Sequence, residues 1–242
     1  MELVFLCTKK AKMNTYIDNN ILIDYEENNI ELPINHVQYF YSYVHLQELI
    51  ELGDRFNGKK NTRLGTIKNL TGDHFIMNDE KGLQRYIVSP DKMLTFCMNP
   101  ISLIINKSQK NCCSSFAINI DRNTLINKLG IDIRRLNNYS ANEIAVQFGS
   151  LIYSYIIKTS CTYQDMFISF FNFLDLIGFW RDKLTEKSNL ARAYDANHAY
   201  HASICDYFVT NDIRTLHKSN VVYQTCGYKT KAITYKDYIE LV

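Results

Sequence analysis

Residues 195–212 read DANHAYHASICDYFVTND. Asp195 stands at the start of a stretch in which Ala196, Ala199 and Ala202 recur every three residues, which lays small side chains along one helical face able to approach a sheet closely. Tyr207-Phe208-Val209-Thr210 is then a short run of strand formers. Asn211 and Asp212 close it with side chains of the type that end strands and cap helices. Further on, NVVYQT (220–225) reads as another strand and AITYKDYIELV (232–242) as a final strand or short helix. Helix and strand in alternation are the pattern of an α/β chain.

Upstream, NTYIDNNILIDY (14–25) reads as a strand running into a helix. Thr15, Tyr16 and Ile17 favour a strand, Asp18-Asn19-Asn20 ends it, and Ile21, Leu22, Ile23 and Tyr25 supply apolar packing. NHVQYFYSYVHLQELIELG (35–53) begins β-like at Val37, Tyr39 and Tyr41 and turns helical, with Val44, Leu46, Leu49, Ile50 and Leu52 as the stripe and Gly53 as the stop. DRFNGKKNTRLGTIK (54–68) reads as a basic, polar break, followed by short apolar runs parted by Thr-Gly-Asp and Glu-Lys-Gly turns. SANEIAVQFGSLIYSYIIK (140–158) is a helix with Ser140 as cap and Glu143 three residues on. YQDMFISFFNFLDLIGFW (163–180) is a second, strongly apolar helix ending near Gly178, with Asp165 as a cap and Asp175 on the surface.

Composition narrows the function classes. Of 242 residues, 46% are hydrophobic, enough for a sizeable core. With 27 basic and 25 acidic side chains the net charge is +2, which excludes a strongly basic nucleic-acid coat but not a local basic patch. Only 9 Gly and 3 Pro exclude collagen-like and linker-rich architectures. MELVFLCTKK is too short an apolar run for a signal peptide or a membrane span. The seven Cys, including Cys112-Cys113, are read as free thiols of a cytoplasmic protein.

Four carboxylates fall at informative places: Asp18 after the first strand, Glu48 on the following helix, Asp195, and Asp212 after the strand FVTND. In a parallel sheet the carboxyl ends of strands lie along one edge, where ligands bind. Acids gathered there repel unless a cation sits among them, and oxygen-only donors suit Mg²⁺ or Mn²⁺. The matching chemistry is metal-dependent phosphodiester hydrolysis. Asp18 and Asp195 also fit the plainer role of helix caps.

YIDNNILIDY, YSYVHLQEL and DANHAYHASICDYFVTND together resemble the motifs of PIN-domain nucleases, a family that includes toxins of toxin–antitoxin pairs. The last is the most specific, since several positions agree over its length. The resemblance implies a PIN-like parallel sheet flanked by helices, with residues 1–55 and 165–242 as the nuclease domain. Residues 56–164 would be a large insertion of mixed or mainly helical structure between the second and third acidic motifs. It places the family's metal-binding and catalytic acids on Asp18, Glu48, Asp195 and Asp212, with Asn19, Asp206, Thr210 and Asn211 as secondary candidates. Asp206 is secondary because it lies at the opposite end of its strand from Asp212. The implied activity is a Mg²⁺- or Mn²⁺-dependent endoribonuclease acting on RNA, with an antitoxin protein or a second copy of the chain as partners and no membrane. The alternatives are a non-catalytic PIN-like RNA- or protein-binding module and a nuclease acting on DNA.

Other features have plainer readings. His198, His201 and Cys205 share a helix face, and packing explains them better than a metal site. Glu51, and the run Asp24, Glu26 and Glu27, read as solvated helix acids. Lys60, Arg63, Lys68, Arg134, Arg135, Arg181, Lys183, Lys187 and Arg192 read either as phosphate contacts or as a scattered basic surface.

Overall fold

The structure, a computed structural model, describes residues 12–52, 57–99, 127, 133–159, 162–182 and 185–242. Strands β1 (Met13–Ile17), β2 (Val37–Ser42), β3 (His74–Asp79), β4 (Gly82–Ile87), β5 (Tyr207–Val209) and β6 (Lys231–Ile233) form one sheet in the order β4-β3-β2-β1-β5-β6. Every neighbouring pair is parallel except the β3–β4 hairpin. The order runs outward from β1 to β2 and β3, then returns to the other side of β1 for β5 and β6. That reversal makes the carboxyl ends of β1 and β5 a topological switch point.

Successive strand residues face opposite sides of the sheet, and the two cores follow that alternation. Tyr16, Phe40, Ile76 and Phe208 belong to one core; Ile17, Tyr39, Tyr41, Phe75 and Val209 belong to the other. Helices α1 (Asn19–Glu26), α2 (Tyr43–Glu51), α3 (Asn57–Thr71), α4 (Pro90–Cys97) and α9 (Tyr235–Leu241) supply the residues of the second core. Helices α5 (Ala141–Thr159), α6 (Tyr163–Ile177), α7 (Glu186–Ala202) and α8 (Ile213–Cys226) supply the first, where Phe167, Phe170, Phe171 and Phe173 lie with Ala196, Ala199 and Ala202. The expected α/β class, a mostly parallel sheet with helices on its faces, is the one observed.

Several local expectations are corrected. The polar break at 54–68 lies largely in α3, where Leu64, Ile67 and Leu70 at spacing three turn a narrow stripe inward. NVVYQT is the second half of α8 and not a strand. Asp212 caps that helix at its start and Gly227, at φ 73°, ends it in the left-handed conformation, so the ends override the strand propensity of Val221-Val222-Tyr223. Helix α7 starts ten residues earlier than read, with Thr185 as its cap, so Asp195 sits inside it and does not open it. Within the span 56–164, β3 and β4 extend the same sheet beyond β2 and α5 packs on α8. Cys112-Cys113, Gly53 and Lys183 lie outside the described residues, as do the side chains of Arg134 and Lys187. Among the described residues no helix is long and apolar enough to cross a membrane.

Two readings of charged residues are corrected as well. Asp175 is buried rather than on the surface, and Arg192 is buried rather than part of a basic surface. Arg192 Nε stands 2.6 Å from one Asp175 oxygen and Lys218 Nζ 2.5 Å from the other. Lys218 also reaches Asp182 at 2.6 Å, so one ionic cluster ties α6, α7 and α8 together. Removing one member of such a cluster leaves a charge buried without its partner. Lys218→Met is therefore expected to lower unfolding free energy by about 3–5 kcal/mol, read from urea denaturation midpoints; an unchanged midpoint would show that the cluster carries no stability.

His201 is fully buried, and its Nδ1–H donates to the Asn197 carbonyl at 2.7 Å. Burial penalises its charged form and lowers its pKa to about 4. Unfolded, it titrates near about 6.5. The folded value is depressed, so its contribution is complete above the unfolded pKa and is lost as pH falls toward about 4, about 3 kcal/mol in all. His201→Gln is expected to flatten the fall in stability across that window, measured by urea unfolding at stepped pH.

Candidate active site

Asp18 ends β1 and caps α1. Its Oδ1 accepts from the Asn19 backbone at 2.7 Å, and its Oδ2 accepts from Asn20 Nδ2 at 2.8 Å and from the Thr210 hydroxyl at 2.7 Å. Three donors on one buried carboxylate fix its direction. Thr210, fully buried at the end of β5, also accepts from Asn20 and from the Asp212 backbone at 3.0 and 3.1 Å. The ends of β1 and β5 are thereby stitched together at the switch point.

Asp212 follows Thr210 and is exposed. One of its oxygens, Oδ1, accepts from the Arg214 and Thr215 backbones at 2.8 and 2.9 Å as the cap of α8. Its other oxygen carries no hydrogen bond among the described residues. Asp195 comes from α7, three residues before His198 and so on the same face. It is half-buried and accepts no hydrogen bond among the described residues. Burial first, then the neighbouring carboxylates of Asp18 and Asp212, push its pKa well above the usual carboxylate range. Asp18 is raised too, by burial, with His198 opposing the rise and Glu48 adding to it.

Glu48 reaches the same edge from α2. Its Oε2 accepts from His198 Nε2 at 3.2 Å, and that nitrogen stands 3.8 Å from Asp18 Oδ1. Burial works against the charge on His198, but Glu48, Asp18 and Asp195 outweigh it and raise its pKa. On its other side His198 Nδ1 shares a hydrogen bond of 2.8 Å with the Tyr16 hydroxyl, which shares another of 2.7 Å with Ser42. His45 lies beside them, donating from Nε2 to the Ile17 carbonyl at 2.9 Å and accepting at Nδ1 from the Ser42 backbone at 3.1 Å. Its pKa is held well below the histidine range, by burial and then by the charge of His198.

All four predicted acids therefore reach one edge of the sheet, where Asp195 interacts with Asp18 and Asp212 and Asp18 with Glu48. Among the described residues no three His, Cys, Asp or Glu stand close enough to hold a metal ion as placed. The donor chemistry nonetheless fits a hard divalent cation: an Asp195 carboxylate with no donor, a free oxygen on Asp212, a fixed Asp18 and a half-exposed Glu48.

The secondary candidates divide. Thr210 is part of the edge. Asn19 is 9% exposed beside Asp18, and its Oδ1 lacks a partner among the described residues. Asn211 is exposed and braces the loop, donating to Asp24 at 3.1 Å and accepting from the Tyr235 backbone at 3.3 Å. Asp206 lies at the far end of β5, where it accepts from the Asn14 backbone at 2.8 Å. His198 is the residue whose contacts exceed the packing role read from the sequence. Its spacing from Asp195 was the available signal.

The raised pKa of Asp195 sets a sign. A folded-state pKa above the unfolded one contributes stability below the unfolded pKa that is lost as pH rises through the folded value. Asp195→Asn is thus expected to raise the melting temperature of the metal-free protein at pH 8, by about 2–4 °C for each kcal/mol relieved, with little effect near pH 4. A lower melting temperature at pH 8 would show that the carboxylate is stabilised by a partner.

Compared with known proteins, the chain matches no family model, no curated protein and no solved structure.

Proposed function

We propose that this chain is a Mg²⁺- or Mn²⁺-dependent endoribonuclease of PIN-like architecture. The observation that carries the reading is Asp195, a half-buried carboxylate without a hydrogen-bond donor, set among the like charges of Asp18 and Asp212. Such an arrangement costs free energy when empty and is relieved by a cation. Further support comes from the strand order around β1, which sets the ends of β1 and β5, after which Asp18 and Asp212 follow, at the switch point.

In this reading Asp18, Glu48, Asp195 and Asp212 would hold the ion. Bound there, it supplies an activated water and counters the charge that develops on the phosphate. The chain's own residues do the positioning. Thr210 and Asn20 aim Asp18, and the cap of α8 fixes one oxygen of Asp212. His198 holds Glu48 by its Nε2–H and is itself held by Tyr16, so the carboxylate enters the edge pre-oriented. Among the PIN-like roles, a toxin held by an antitoxin is the biological setting we favour, and single-stranded DNA is the competing substrate.

The capping roles of Asp18 and Asp212 favour a second reading, a non-catalytic PIN-like module, because a cap needs its carboxylate whether or not a metal binds. Two measurements separate them. Calorimetric titration with Mn²⁺ should show binding that Asp195→Asn weakens. Asp18→Asn and Asp195→Asn should each abolish Mn²⁺-dependent cleavage of single-stranded RNA while circular dichroism stays unchanged. Full cleavage by both variants, or no metal binding at millimolar Mn²⁺, rejects the nuclease.

A further inference from the structure

We infer that β4 is a self-pairing edge, through which a second copy of this chain joins antiparallel to make one continuous sheet. The two ends of the sheet are finished differently. At one end, β6 gives Lys231 N–H and the Ile233 carbonyl to its neighbours at Asp206 and Thr210, which leaves Ala232 facing outward. The Asn220 side chain of α8 closes that residue: its Oδ1 accepts from the Ala232 N–H at 2.9 Å and its Nδ2 donates to the Ala232 carbonyl at 2.8 Å. At the other end, β4 pairs with β3 over six residues, Gly82–Ile87, without a break in register. Val88 N–H donates to the Asp73 carbonyl at 2.8 Å. Backbone groups alternate in direction along an antiparallel strand, so Gly82, Gln84 and Tyr86 also face β3. Leu83, Arg85 and Ile87 turn their N–H and C=O groups outward, where they meet no partner among the described residues.

Open edges are ordinarily guarded by a proline, a bulge, a covering segment or an outward charge. GLQRYI has no proline and no bulge. Its one charged residue, Arg85, leans inward. The guanidinium stands 5.0 Å from the ring of Phe40 on β2, two strands away, and donates to the Ile204 carbonyl. The side chain that would repel another strand is thus drawn back over the sheet. Ile87 is left 68% exposed at the rim.

The occupant follows from the register. A two-fold axis through Arg85 sets Leu83 opposite Ile87 of the second copy, Arg85 opposite its own equivalent and Ile87 opposite Leu83. All three pairs use the outward groups, and each exchanges two backbone hydrogen bonds. Leu83 packs at the margin of the first core, on the same face as Ile87, so the pairing covers the exposed isoleucine with an apolar neighbour. Beyond the strand, the same register carries exposed Lys81 toward Ser89 of the second copy and so toward its exposed Asp91, at both ends of the joint. Shape, hydrogen bonding and charge are therefore self-complementary, as an isologous contact requires. The parallel strands of the two copies run in opposite directions in such a sheet. Their acidic edges then lie at opposite ends, clear of the joint, so the inference is independent of the metal reading.

The test is sedimentation velocity of the full chain over about 1–200 µM. The 28.3 kDa species should give way to one of twice that mass as concentration rises. Amide hydrogen exchange over the same range identifies the joint. Leu83, Arg85 and Ile87 should slow by about fivefold or more in the dimer, while Gln84 and Tyr86, already bonded to β3, should not. Ile87→Pro removes an outward N–H and spares the β3 ladder, and Ile87→Lys places a charge on the edge. Each change enters the joint twice, so each should raise the dimer Kd about tenfold or more with the melting temperature of the monomer unchanged. Should Ile87→Pro unfold, Ile87→Lys carries the test alone. A monomer at every concentration, a dimer whose three outward amides exchange as fast as in the monomer, or a dimer undiminished by Ile87→Lys overturns the inference. None of these outcomes bears on Mn²⁺ binding or RNA cleavage, which test the nuclease separately.

Discussion

A carboxylate taken from water needs a donor or an opposite charge, and the edge of this sheet holds one that has no donor. Asp195 is brought between Asp18 and Asp212 because α7 packs across the sheet on Ala196, Ala199 and Ala202, whose small side chains let the helix come close. The energetics of the edge are organised around that crowding. His198, one turn away on the same helix, places its imidazole between Glu48 and Asp18, whose charges raise its pKa. Lys218 adds a more distant positive charge. The edge is therefore held together by partial compensation.

The buried ionic cluster behind the edge serves the same geometry. Asp175 on α6 is gripped by Arg192 of α7 and Lys218 of α8. Arg192 and Asp195 are one turn apart on α7, so the cluster fixes how that helix sits against the helix that Asp212 caps. A cluster of this kind adds less net stability than its contacts suggest, because each charge first loses its water. Its clearer effect is to restrict the packing of three helices to one arrangement.

A second polar chain runs through the sheet itself. Ser42, Tyr16 and His198 join the cap of α2 to the acidic edge, and His45 closes the group at Ile17. A side chain that reads from sequence as strand packing, Tyr16, is thus also the bond that orients His198. The hydroxyl explains why a tyrosine can sit in an apolar core without leaving a polar atom unmet.

The sequence by itself determined the alternation of helix and strand, the strand ends at Asp18 and Thr210, the helix carrying Glu48, and the cap at Ser140, because these depend on neighbours a few residues apart; it took Asp165 for the cap of α6, where Thr162 is the cap. It put Asp195 at the start of its helix, where the structure has it inside α7. It misread 220–225 as a strand, since β-branched residues in a row look alike in a buried helix and a buried strand until the ends are seen. Tertiary structure alone decided that β3 and β4 join the sheet, that Asp175 and Arg192 are a buried pair and not surface charges, and that His198 bridges Glu48 and Asp18. Each of those depends on residues 17 to 180 positions apart meeting in space, and no local pattern records which distant side chain will be the partner.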